Sequence, residues 1–136
     1  MTVSEEDLRI KGLLARVRRI AVVGASPDES RDSHRILAYL RAHGYDVVPV
    51  NPAAPEVAGI PCVPTLDLAG AVDLVDVFRR SEHVAGIVDD VLRLGLPALW
   101  LQLDVRDEFA LARARAAGVE VVADRCIMVD HRRLLD

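Results

Sequence analysis

Gly24, Ala25, Ser26 and Pro27 follow directly on the apolar run Ile20 to Val23, and Arg31, Ser33 and Arg35 open a helical pattern a few residues later. Small residues after a buried strand leave backbone N–H groups pointing outward, and a helix N-terminus behind them adds positive potential. The chemistry such a unit supports is anion binding. Arginine suits a phosphate there, because its planar fork makes charge-assisted hydrogen bonds. More polar residues stand in short clusters further on: Asn51-Pro52, Phe78-Arg79-Arg80-Ser81, Gln102 with Asp104, and Asp124-Arg125-Cys126.

The loop departs from the better-known phosphate cradles. A dinucleotide fingerprint needs three glycines and an acid near the end of the second strand. Gly24 stands alone, Ser26 occupies the second glycine's place, and the second strand ends in Val50-Asn51-Pro52. A P-loop needs Gly-Lys-Ser/Thr, and the chain's one lysine is Lys11. A turn that binds nothing could use the same residues, so Gly24 alone decides little.

Nor does the chain carry an evident catalytic group. His34, His43, His83 and His131 are scattered, with no metal-ligand spacing, and read as solvated or structural, His34 being nearest the loop. Cys126 could be a reactive thiol at a strand end, but a packed small side chain explains it more simply. Asp73 and Asp76 fall on opposite faces of a strand and cannot form an acid/base pair.

The elements that position these residues follow from hydrophobic periodicity. Ser4, with Asp7 three residues on, caps a helix that carries Ile10, Leu13, Leu14 and Val17 on one face. Strands are predicted at Ile20–Val23, Tyr45–Val50, Val72–Phe78, Ala98–Leu103 and Val119–Ala123. Helices are predicted at Asp32–His43, after an N-cap at Ser81, and from about Asp107 to Ala117, with a short one at Leu66–Ala69. Asn51 to Pro64 reads as a proline-rich loop with one short extended piece, and the tail after Cys126 as helical.

Apolar strands alternating with helices make an α/β three-layer, Rossmann-like sandwich with a five-stranded, mainly parallel sheet. Ligands of such sheets sit outside the carboxyl ends of the strands. The polar clusters fall at those five ends. Their convergence on one edge favours a binding site over an idle turn.

The length of 136 residues fits one domain, residues 1–136. A net charge of −4 argues against general nucleic-acid or membrane-surface affinity. The acidic start has no apolar core of a signal peptide, no run reaches spanning length, and two distant cysteines suggest reduced thiols. The expectation is a cytoplasmic protein with a small-molecule nucleotide ligand. A homo-oligomer or a protein partner stays open.

At these residues the chain resembles the coenzyme A-binding domain family, small Rossmann-like proteins related to the N-terminal domain of the succinyl-CoA synthetase alpha subunit. The resemblance runs from about Ala15 to Ile127. It is carried by Val22-Val23-Gly24-Ala25-Ser26, Arg31 with Ser33 and Arg35, Pro49-Val50-Asn51-Pro52, Gly59-Ile60-Pro61 with Thr65-Leu66, Val75-Asp76-Val77-Phe78-Arg79, Trp100-Leu101-Gln102, and Asp124-Arg125-Cys126.

The resemblance implies that Gly24, Ala25, Ser26 and the adjoining Pro27 hold a pyrophosphate, with Arg31, Ser33 and Arg35 close to a phosphate. By the same resemblance Asn51-Pro52 borders the adenosine, Phe78-Arg79-Arg80 wall the nucleotide, and Gln102 faces the pantetheine path; Ser81 and Cys126 are further candidates at the same edge. Three positions depart from the family pattern: Asp104 replaces a glycine, Val63 an aromatic, and Ala53-Ala54 supplies no basic residue. The implied function is binding of coenzyme A or an acyl-CoA, without catalytic chemistry of its own. The alternative is a small enzyme or subunit of an acyl-CoA ligase or transferase, or a binder of another nucleotide such as NAD or FMN.

Overall fold

The computed structural model describes residues 3–135, so Met1, Thr2 and Asp136 of the predicted domain lie outside the described residues. The elements run α1 (Glu5–Arg16), β1 (Arg19–Val23), α2 (Asp32–Ala42), β2 (Asp46–Val50), β3 (Glu56–Val57), β4 (Ile60–Pro61), β5 (Leu74–Val77), α3 (Val84–Leu94), β6 (Ala98–Leu101), α4 (Glu108–Ala116), β7 (Glu120–Val122) and α5 (Ile127–Leu134). Short 3-10 turns lie at Leu66–Ala69 and Ser81–His83. Five strands form one sheet in the order β2-β1-β5-β6-β7, and every pairing in it is parallel.

Alternation along each strand builds two apolar layers. Ala21, Val23, Val75, Val77, Leu99 and Leu101 face α3 and α4. Ile20, Val22, Leu74, Ala98 and Trp100 face α1, α2 and α5. This gives the expected three-layer α/β sandwich. The strands are shorter than their apolar runs: the third spans only Leu74–Val77, because Val72 and Phe78 pack beyond the ladder. The segment expected as a loop with one extended piece holds a small antiparallel hairpin, β3 with β4.

Helix ends follow their chemistry. Ser4 Oγ accepts from Asp7 N at 3.0 Å, and Asp107 Oδ1 accepts from Ala110 N at 3.0 Å. Ser81 does not cap α3; it starts the preceding 3-10 turn, and its Oγ accepts from Arg106 N at 2.9 Å. At the tail, Arg125 holds Asp130 in a two-pronged contact of 2.6 and 2.9 Å, and Arg133 joins Asp130 to Asp7 of α1. The Arg133 guanidinium draws the Asp7 carboxyl down to about 2, so this tie is kept above the ordinary aspartate range and lost as pH falls toward that value.

Trp100 is fully buried and donates from Nε1 to Arg125 O at 2.8 Å. His131 is buried and structural, with Nδ1 2.8 Å from the Tyr39 hydroxyl and its ring edge-on to His43. No helix is long and apolar enough to cross a membrane among the described residues.

Candidate functional site

The chain leaves β1 to one side for β2 and returns on the other side for β5. The carboxyl ends of β1 and β5 therefore open a crevice at the switch point of the sheet. Gly24 is the first residue in it. Its φ of +86° is in the left-handed region. Its N–H donates to Val50 O at 3.1 Å, and Phe78 N donates to Val23 O at 2.8 Å. The ends of β1 and β5 come so close that a Cβ on Gly24 would lie 2.9 Å from Arg79 Cδ and 3.0 Å from Phe78 O.

Side chains then hold the loop open. Asn51 Nδ2 donates to Ala25 O at 2.8 Å while its Oδ1 accepts from Ala53 N at 2.7 Å. Asn51 is thus a clamp between the ends of β1 and β2. Ser26 N donates to Ser33 Oγ at 3.0 Å, tying the loop to the first turn of α2. Ser26 Oγ accepts from Asp28 N, which leaves its hydroxyl proton as the donor for a ligand. Asp28 Oδ1 accepts from Ser30 N and Ser30 Oγ, and the Ser30 hydroxyl lowers its carboxyl pKa.

Asn51→Ala is expected to destabilise the fold by about 0.5–1.5 kcal/mol for each lost bond. Urea unfolding checks this, and an unchanged midpoint would remove Asn51 from the clamp.

A cavity of about 840 Å³ opens above this loop, inside the usual size range of small-molecule sites. Gly24 and Ser26 line it from the loop, Ser30 to Ser33 from the start of α2, and Asn51 and Pro52 from the end of β2. The end of β5 supplies Phe78, Arg79 and Arg80, and His83 completes the wall. α2 begins with no side-chain cap at Arg31, so its first N–H groups remain for an anion. Arg31, Arg79 and Arg80 bring positive charge. The one carboxylate in the lining, Asp32, is paired with Arg35. The arrangement can hold a phosphorylated molecule against the loop with an aromatic side chain beside it.

The structure brings together Gly24, Ser26, Arg31, Ser33, Asn51, Pro52, Phe78, Arg79 and Arg80 around this hollow. Other sequence candidates stand apart from its lining. Ala25 is fully buried beneath the loop, and Pro27 is exposed beside it. Arg35 faces solvent with Asp32, and the Ser81 hydroxyl is taken by Arg106 N. Gln102 is buried outside the cavity lining, and its Oε1 accepts from Ile127 N at 3.3 Å, fastening the start of α5. Cys126, half-buried, precedes α5 at that same end.

Asp104 has a φ of +68°, which explains a glycine preference at that position; it is exposed and outside the cavity, so it does not oppose a bound phosphate. Val63 pairs with Val50 beside β2. His34 does not line the cavity.

Sequence reasoning missed three lining residues: Ser30, Asp32 and His83. His83 had a readable signal. It lies four residues after Arg79, and its Nε2 is 3.0 Å from Arg79 Nη2.

The family model described as "CoA binding domain" matches residues 18–132. The protein YneT of Bacillus subtilis (strain 168) is 38% identical over 123 residues, 90% of this chain and 91% of that one. The acetate–CoA ligase [ADP-forming] I of Archaeoglobus fulgidus is 35% identical over 119 residues, 79% of this chain but only 17% of the ligase. Among solved structures, a hypothetical protein from Pyrococcus horikoshii OT3 superposes with a TM-score of 0.91 at 38% identity, covering 96% of this chain and 92% of that one.

Proposed function

The chain belongs to the CoA-binding domain family, and from that premise we propose that it binds coenzyme A or an acyl-CoA in the switch-point cavity and performs no covalent chemistry alone. The observation that carries this reading is the Gly24 loop facing the uncapped start of α2, with Arg31, Arg79 and Arg80 around the same hollow. Coenzyme A carries a pyrophosphate and a 3′-phosphate, and a cradle of N–H groups and guanidinium forks suits both.

The cavity side chains are occupied in ways that suit holding rather than reacting. Ser33 Oγ and Ser26 Oγ each accept from a backbone N–H, and His83 Nε2 faces Arg79. Neither serine has a general base at hydrogen-bond distance among the described residues.

A second reading, a subunit that works with a ligase partner, is favoured by the 35% identity to the acetate–CoA ligase. Under it the same cavity holds the same ligand, and the chemistry lies on the partner.

Thermal shift tests the binding. Coenzyme A at a hundred times its Kd stabilises the folded state by about 2.7 kcal/mol, a rise of several degrees. A shift with NAD or FMN in place of coenzyme A would overturn the reading. Arg79→Ala is expected to weaken coenzyme A roughly ten- to a hundredfold, the value of a lost charge-assisted bond of about 1.5–3 kcal/mol. Unaltered affinity would take Arg79 out of the site.

A further inference from the structure

We propose that His83 is a positioning residue for Arg79, and that it takes up a proton when a ligand phosphate enters the cavity, becoming the second cation beside it. The inference rests on the coenzyme A reading above.

Arg79 Nη2 lies 3.0 Å from His83 Nε2. A guanidinium can only donate, so Nε2 is the acceptor and the ring is neutral, with its proton on Nδ1. The Arg79 stem rests against Gly24, and its head is held by His83. The guanidinium is thereby kept at the loop before any ligand arrives. The His83 side chain is 42% exposed, so solvent can reach it and protonate it.

Charged groups of both signs face the pair. Glu82 Oε1 is 3.8 Å from the same Nε2, and Arg80 Nη1 is 3.9 Å from Glu82. Arg31 and Asp32 line the cavity from the start of α2, with Asp32 paired to Arg35. Behind Ser81, the Arg106 guanidinium is 2.7 Å from Asp124. Arg31 and Arg80 oppose a further cation, Glu82 supports it, and a phosphate supplies the remaining negative charge.

The exchange balances. The Arg79–His83 bond breaks, and Arg79 donates to the phosphate instead. Nε2 takes one proton from the buffer and donates it in a second bond to the same phosphate.

Titration calorimetry of coenzyme A at pH 7, in two buffers of different ionisation heat, reads that proton. His83→Gln is the discriminating variant, because its amide oxygen still accepts from Arg79 but cannot be protonated. The unaltered protein is expected to take up more protons per coenzyme A than His83→Gln does. His83→Ala, which also frees Arg79, should bind several-fold more weakly than His83→Gln. Equal proton uptake in the unaltered protein and His83→Gln overturns the proposal while leaving the binding reading intact. No binding of coenzyme A by the unaltered protein overturns both.

Dephospho-coenzyme A forms a second arm. Uptake kept with that ligand assigns the contact to the pyrophosphate, and uptake lost assigns it to the 3′-phosphate; either pattern supports the proposal.

Discussion

Asp76→Asn is expected to stabilise the fold at neutral and alkaline pH and to leave it nearly unchanged at pH 4. Asp76 lies in β5 between Val22 and Trp100, fully buried in the layer under α1, α2 and α5. Neither carboxyl oxygen has a hydrogen-bond partner among the described residues. Burial pushes this acid well above its ordinary range, so it is held neutral in the folded chain. Unfolding exposes it and lets it ionise. From about pH 4 upward the unfolded state therefore binds fewer protons than the folded one. Stability is fully present below the unfolded pKa and falls by about 1.4 kcal/mol per pH unit until the folded group itself titrates.

Asparagine has the same shape and an unpaired amide, but no charge to release. Its advantage over aspartate should grow with pH, and urea unfolding at pH 4 and pH 8 measures that growth. An equal gap at both pH values would mean that Asp76 is not held neutral. Coenzyme A affinity should not change, since Asp76 does not line the cavity.

Much of the fold was legible because apolar periodicity reports burial directly. Ile20 to Val23 and Ala98 to Leu101 are continuous apolar runs, and both are strands covered on two faces. Ile36, Leu37 and Leu40 mark one helical stripe, and all three are buried. Apolar runs overrun the strands at two ends for different reasons: Val72 is buried in the loop before β5, and Leu103 is exposed in the loop after β6.

The site was legible as an edge rather than as a set of side chains. Position at a strand end tells which residues reach the rim of the sheet, but not which neighbour a side chain turns to. Gln102 is at the rim, and its Oε1 serves Ile127 N. Asn51 is at the rim and lines the cavity, yet both ends of its amide hold backbone. Alternation places Asp76 on the face opposite Asp73, but shows a face and not whether a partner waits there, and neither carboxyl oxygen of Asp76 has one among the described residues. His83 was set aside for want of metal or catalytic spacing, although its partner is an arginine four residues earlier.

Gly24→Ala is expected to abolish coenzyme A binding and to lower stability by more than any other single change in the loop. Two independent costs coincide at this residue. Its φ of +86° belongs to the left-handed region, where a Cβ costs about 1–2 kcal/mol. The new methyl would also meet Arg79 Cδ at 2.9 Å and the Phe78 backbone at 3.0 and 3.1 Å. The Arg79 stem can swing aside. The Phe78 carbonyl cannot move as freely, because Phe78 N is bound to Val23 O beside it. Relief must therefore come from the loop itself, by lifting Gly24 off Val50 O or by parting β1 from β5 at their ends. Either movement displaces the N–H groups that would cradle the ligand.

Gly44→Ala is the matched control. It has a similar φ of +95°, but a Cβ there meets nothing within 4 Å, so it isolates the conformational cost from the clash. The expected order in urea unfolding is unaltered protein, then Gly44→Ala, then Gly24→Ala, with coenzyme A binding lost only in the last. If Gly24→Ala kept wild-type affinity, the close approach of Gly24 to Phe78 and Arg79 would have no part in ligand binding, and the cradle would have to be sought elsewhere on the rim.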